Sequence, residues 1–232
     1  MTKTKTVIAA GAVLCAGIML TGCGLRTIAS PTKEQTKAYD VGGAVAAIDV
    51  ESGSGAIVVV GSGRTGIRVT ESMHWKGEQP KTKHPMDGDT LKLSYDCEPD
   101  DWNCGVDYRV ELPAGTRVKV KTGSGDITLR ALGGEVRATT GSGEIDANDL
   151  SGKHAVAETG SGDVELRFTV VPDDVQVSTG SGTGVVRVPA GNYNVTTNTG
   201  SGDKTVGVAA DASSPHRIIV KTGSGDAKVL KA

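Results

Sequence analysis

Along most of this 232-residue chain apolar and polar side chains alternate, and a Gly-Ser-Gly triplet resets the alternation at regular intervals. The central serine falls at 54, 124, 142, 161, 181, 201 and 224, so from Ser124 onward the gaps are 18, 19, 20, 20 and 23 residues. Six and four residues before each serine stand Ile48/Val50, Val118/Val120, Val136/Ala138, Ala155/Ala157, Val175/Val177, Val195/Thr197 and Ile218/Val220. Two residues before it stand Ser52, Thr122, Thr140, Thr159, Thr179, Thr199 and Thr222. Lys119, Lys121, Arg137, Gln176 and Lys221 lie between these positions. Period-two alternation of this kind predicts a strand with one buried face, which a flexible Gly-Ser linker would not carry.

After the triplet the apolar positions are three and five residues past the serine: Ile57/Val59, Ile127/Leu129, Ile145/Ala147, Val164/Leu166 and Ala227/Val229. From the threonine to the first of these is an odd number of steps, so strict alternation would turn them outward. The backbone must bend within Gly-Ser-Gly to return them to the core, and glycine permits the φ angles that such bends use. Each triplet is therefore a corner. A repeat of about 20 residues is too short for two helices but suffices for two or three short strands, and it marks stacked repeats. The prediction is an all-β, single-domain β-solenoid (β-helix), its coils hydrogen-bonded about 4.8 Å apart. Threonine and the central serine would then form inward columns of hydroxyls. A β-sandwich, the alternative, also has short alternating strands but does not explain identical corners. "VELPAGTRVKV" at 110–120 and "VRVPAGNYNV" at 186–195 mark the opposite edge of a coil, where a proline that cannot donate to a ladder belongs.

The ends of the chain add an address. "MTKTKTVIAAGAVLCAGIMLTGC" begins with Lys3 and Lys5, continues as an apolar run and closes on Leu20-Thr21-Gly22-Cys23. This describes a secretory signal over 1–22. "LTGC" resembles the lipobox of bacterial lipoproteins, which implies cleavage before Cys23 and a diacylglycerol on its sulfur. Residues 23–44 are then expected to be a lipid anchor and flexible tether, and 45–232 the folded domain. The expected location is the cell membrane, lipid-anchored and facing outward. Removing 1–22 leaves 23 basic and 27 acidic residues, a net charge of −4, so nucleic acid is not an expected partner. Cys97 and Cys104 are then the remaining pair, in an oxidising compartment, and are expected to form a structural disulfide across "CEPDDWNC".

Alternating strands, repeated "TGSGD" and Pro-Ala-Gly turns on an exported chain resemble the bacterial envelope family labelled putative adhesin, a domain of unknown function. The resemblance covers about 45–232. It implies a β-solenoid without cofactor or catalytic residues, acting as an adhesin-like surface-binding, envelope-scaffolding or stress-related module. The candidate partners are the membrane through Cys23 and a cell-wall, glycan or protein ligand.

Two places could hold chemistry. Asp126, Glu144, Asp163, Asp203 and Asp226, each two residues past the serine, form an acidic column. A calcium-binding solenoid is one alternative, although calcium β-rolls use a nine-residue repeat. The simpler expectation is that each carboxylate accepts hydrogen bonds from its own corner amides. The repeat is lost from 73 to 105, an irregular excursion holding Trp75, Trp102, His74, His84 and the cysteine pair. Trp75 and Trp102 beside Asp100 and Asp101 are the candidate binding residues, stacking on a sugar or clamping a peptide, or else covering part of the core. A polysaccharide-acting β-helix enzyme would need clustered carboxylates or basic residues in a groove. The acids here fall on outward strand positions and corners, so no enzyme is expected. The chain stops on a strand, "TGSGDAKVLKA", which predicts an end guarded by Lys228 and Lys231 or end-to-end self-association.

Overall fold

The computed structural model describes residues 31–232; the signal segment 1–22 and Cys23 lie outside the described residues. β1 (Lys33–Val41), β2 (Ala47–Ser52), β3 (Ile57–Ser62) and β4 (Ile67–Trp75) come first. β5 (Lys81–Lys83), β6 (Met86–Asp87), β7 (Thr90–Asp96) and β8 (Gly105–Pro113) follow. Four pairs come next: β9 (Arg117–Thr122) and β10 (Ile127–Arg130), β11 (Val136–Ser142) and β12 (Ile145–Leu150), β13 (His154–Ser161) and β14 (Val164–Phe168), β15 (Asp174–Ser181) and β16 (Gly184–Val188). The last strands are β17 (Asn192–Ser201), β18 (Lys204–Val206), β19 (Ala209–Ala210), β20 (Arg217–Ser224) and β21 (Ala227–Lys231).

The strands build two sheets, ordered β1-β4-β8-β3-β10-β12-β14-β16-β21-β18 and β19-β17-β20-β15-β13-β11-β9-β2-β7-β5. Each coil gives one strand to each sheet, and all but the coil of β7 and β8 turn between them at Gly-Ser-Gly. Neighbouring coils pair in parallel and in strict register, so that Ile127 faces Ile57 on one side and Ile145 on the other. Likewise Val136 stands between Val118 and Ala155. An antiparallel sandwich has no such ladder. Among the described residues only β1–β4, β4–β8, β5–β7 and β6–β7 are antiparallel, all at the end of the stack nearest the N-terminus.

The inward positions close a thin core. Ile48, Val50, Val118, Val120, Ile127 and Leu129 are buried, as are Ile218, Val220, Ala227 and Val229, whereas the equivalent positions in the coil of β17 and β18 are partly or fully exposed. Burying a side chain of this size contributes roughly 1.5–3 kcal/mol, and no coil could bury its face without its neighbours. At the edge opposite the corners Leu112, Leu132, Leu150, Phe168 and Val188 are buried and fill the space between the sheets. This is where the Pro-Ala-Gly turns lie: Thr116 N donates to Pro113 O, and the Tyr193 hydroxyl donates to Pro189 O.

Four expectations are corrected. Residues 33–41, assigned above to the tether, form β1, paired along its whole length with β4. The excursion 73–105 is only partly irregular. β7 pairs in parallel with β2 and β8 with β3, so the segment completes an eighth coil whose corner is the cysteine loop. The central serines point out of the stack, because the chain turns immediately after the threonine; Ser124, Ser142, Ser161, Ser181 and Ser224 are exposed. Finally, the C-terminal coil is not at the end. β20 lies between β15 and β17, and β21 between β16 and β18, so the coil of β17 and β18 is outermost.

Candidate functional site

The repeated corner is a hydrogen-bonded device running the length of the stack. Each inward threonine donates its hydroxyl to the carbonyl of the second corner glycine in the preceding coil. The pairs are Thr122–Gly55, Thr140–Gly125, Thr159–Gly143, Thr179–Gly162, Thr222–Gly182 and Thr199–Gly225, at 2.8–3.0 Å. The hydroxyl column is thus satisfied by backbone, not by other hydroxyls. The glycines are required by the same close approach. A Cβ on Gly162 or Gly182 would stand 2.2 Å from the carbonyl oxygen of Gly143 or Gly162, and both residues have φ near +140° (139° and 140°).

The acidic column also bonds between coils, which corrects the expectation that each carboxylate serves its own corner. Asp126 accepts from Glu144 N, Asp163 from Thr183 N and Asp226 from Asp203 N, at 2.7–2.9 Å. Asp107, missed in the sequence because no Gly-Ser-Gly precedes it, does the same for Ala56 N at 2.8 Å. Parallel pairing of β3 and β8 sets Asp107 beside Ala56 and so makes it a member of the column. Among the described residues no group of three or more His, Cys, Asp or Glu side chains is gathered in a geometry that could hold a metal ion.

The eighth corner is built differently. Cys97 and Cys104 form a disulfide with their Cα atoms 6.0 Å apart, closing the loop. The Tyr95 hydroxyl accepts Gly53 N at 3.0 Å, taking the place that a preceding coil's glycine carbonyl has elsewhere. Compare Gly123 N, which donates to Gly53 O at 2.8 Å. Asp101 fixes the loop to the end of β4 by accepting Gly77 N at 2.7 Å and Lys76 N at 3.2 Å, with Asn103 N at 3.1 Å. Those backbone donors, Gly77 first, hold its carboxyl below the usual carboxylate range.

The candidate binding residues therefore separate. Trp75 is 8% exposed and packs against the core, whereas Trp102 is 94% exposed at the tip of the loop. Asp101 is engaged structurally, and Asp100 is exposed beside Trp102. Lys76, Gly77, Glu78, Glu98, Asp100 and Trp102 border a shallow depression of about 420 Å³. His74 stands beside Gly105 on β8, while the His84 ring lies 4.9 Å from Tyr39, so the two histidines are not gathered into a site.

A family model described as Toastrack DUF4097 matches residues 107–230, from Asp107 of β8 to Leu230 of β21. The chain belongs to the Toastrack DUF4097 family. Two solved structures share the fold. One is described as a putative cell adhesion protein from Clostridium sporogenes ATCC 15579. It is 14% identical with a TM-score of 0.50, and the match covers 86% of this chain and 100% of that one. The other is described as a putative adhesin from Bacteroides fragilis NCTC 9343. It is 16% identical with a TM-score of 0.50, and the match covers 85% and 97% of the two chains. No curated protein matches the sequence.

In this Toastrack chain the matched region contains six of the seven Gly-Ser-Gly corners, while the Ser54 corner, the cysteine loop and the strands β1 and β4–β7 precede the match. The antiparallel end also holds a buried polar group. Glu71 is 1% exposed and accepts the Tyr39 hydroxyl at 2.7 Å. Burial and then the Glu71 hydrogen bond push the Tyr39 phenol well above its ordinary value; Tyr108, across from Glu71, is raised by burial and then by the Glu71 charge. On the sheet faces the Toastrack stack carries ion pairs between neighbouring coils, such as Lys119–Asp49 at 2.8 Å and Arg187–Glu165 at 2.7 Å. Exposed pairs of this kind contribute at most about 1 kcal/mol each.

Proposed function

We propose that this protein is a lipid-anchored extracytoplasmic β-solenoid that acts without catalysis, as an adhesin-like surface-binding or envelope-scaffolding module. One observation carries the reading. The threonines of the repeat, three of its five acids (Asp126, Asp163 and Asp226) and its corner glycines are engaged in coil-to-coil hydrogen bonds. The repeat therefore builds a stiff body and leaves its outer surface to meet partners. The family and the adhesin descriptions of its structural relatives are in keeping with this. The signal over 1–22 and the lipobox cysteine Cys23 support export and anchoring.

Cells producing the full chain and its Cys23→Ala variant provide the test. In cells grown with a labelled fatty acid, the wild type is expected to carry the label and the variant to lack it. The purified chain is expected to be retained by isolated cell wall, envelope proteins or glycans without altering them. Label on neither form, or on both equally, would overturn the anchor at Cys23, and retention by none of these materials would reduce the function to that of a spacer. Deleting 73–105 is not a usable control, since it removes β7 and breaks the eighth coil.

A further inference from the structure

Trp102 is the most exposed large apolar side chain among the described residues, and it stands on a cross-linked loop. The disulfide closes its loop, and Asp101 ties that loop to Lys76 and Gly77. An aromatic held outward on a rigid loop loses little conformational entropy when it is buried by a partner, and tryptophan combines a large apolar body with a polar N–H.

The path of the chain indicates the partner. β1 begins at Lys33, which pairs with Trp75, and the Lys33 ammonium donates to Gly77 O at 3.4 Å. Gly77 is the residue whose N–H Asp101 accepts. The chain therefore enters the fold at the corner that displays Trp102. Lys33 is ten positions after Cys23. Ten extended residues span at most about 35 Å, so a lipid on Cys23 keeps this corner within that distance of the bilayer. The surroundings are of mixed charge, Lys33, Lys76, Glu78, Glu98 and Asp100, which does not single out an anionic surface. Tryptophan concentrates at the headgroup level of membranes, where one end is apolar and the other wet.

From these observations we infer that the cysteine loop is a membrane-facing foot: Trp102 inserts into the headgroup region of the anchoring bilayer and orients the stack on it. The inference rests on the lipid anchor proposed above. It places the coil of β17 and β18 away from the membrane, since seven steps of about 4.8 Å separate it from the cysteine-loop coil of β7 and β8.

The test uses the full lipidated chain reconstituted into phosphatidylcholine vesicles with brominated acyl chains, read by flotation and by tryptophan fluorescence. Flotation reports the anchor; quenching and a blue shift report Trp102. The expected result is flotation with quenching that persists in high salt, and loss of the quenching in Trp102→Phe while flotation remains. Trp102→Phe leaves the fold intact because the side chain makes no core contact, and Trp75 in the variant serves as the buried reference. Flotation without quenching, or quenching unchanged by Trp102→Phe, overturns the foot and leaves the anchor standing; the first of these outcomes frees Trp102 for a soluble glycan or peptide. Failure to float overturns both.

Discussion

The coil of β17 and β18 and the coil of β20 and β21 come from similar sequence units, yet the chain places the later one inside and the earlier one at the edge. Their inward positions explain why. In the later coil these are Ile218, Val220, Ala227 and Val229, all with no measurable exposure. In the earlier coil they are Val195, Thr197, Lys204 and Val206, and Lys204 and Val206 are exposed. A coil whose inner face carries a hydroxyl and an ammonium can be covered on one side only, since a second neighbour would enclose that charge. The chain therefore lays down its cap first, crosses back through β19 and fills the interior slot last. Stacked repeats need such a terminal unit with a polar face. The difference teaches that position in the stack follows side-chain chemistry and not order in the chain.

The comparison breaks most severely if the interior coil is given the cap's chemistry. Ala227→Lys places an ammonium at a site with no exposure between two sheets. It is expected to cost upwards of about 4 kcal/mol and to leave little folded protein, as read by chemical denaturation. Lys204→Ala, at the equivalent position in the cap, is expected to stay within about 0.5 kcal/mol.

The glycines give the next effect. Gly225 has φ +127°, and a Cβ there would stand 2.3 Å from Gly182 O; Gly202 has φ +141°, and its Cβ would stand 2.2 Å from Gly225 O. The local clash is the same, but the consequences differ, because the outer coil can peel away and the inner one cannot. Gly225→Ala is expected to lower global stability by about 3 kcal/mol. Gly202→Ala is expected to raise amide exchange over 192–206 while the melting transition of the rest is retained. A global loss of equal size in both variants would contradict the independent fraying of the cap.

Much of this was legible in the sequence. Corner period, alternation and glycine placement gave the all-β stack, and the cysteine spacing gave the disulfide that the structure contains. The exchange of the last two coils was not foreseen, although Thr197 and Lys204 break the inward pattern where Val220 and Ala227 keep it. The sequence was silent where the pattern depends on pairing across long separations. Asp107 joins the acidic column through register with Ala56, 51 positions away, and β1 is a strand because it pairs with β4, not because its residues alternate. The candidate site was half legible: two tryptophans were conspicuous, but only packing separates buried Trp75 from exposed Trp102.

A smaller effect is expected where the two coils meet along the corner. Val220 in β20 faces Thr197 in β17. Val220→Thr keeps the volume but buries a hydroxyl, at a cost of about 1–3 kcal/mol. Thr197→Val, in the half-exposed cap, is expected to be nearly neutral. If both changed stability equally, the cap would be as tightly enclosed as the interior, and its polar positions would need another explanation.

The smallest effect on stability carries the clearest consequence for association. β18 is the outermost strand of its sheet, and Val206 on it is 43% exposed. Beside it Lys204 stands at a position that is apolar in most other coils, and an inward-pointing charge on an edge strand is a known guard against strand pairing between molecules. The edge strand is thus in this cap, and not the C-terminal strand that Lys228 and Lys231 were expected to protect. Lys204→Val should leave the melting temperature of the dilute protein nearly unchanged, since an exposed lysine is exchanged for an apolar side chain that one neighbour covers. It should also create an apolar inner face with a free backbone edge, so that light scattering shows association rising with concentration, where the parent chain remains monomeric. A parent chain that already associates, with no increase on Lys204→Val, would show that the charge does not guard this edge and that the outermost coil is open to end-to-end contact as it stands.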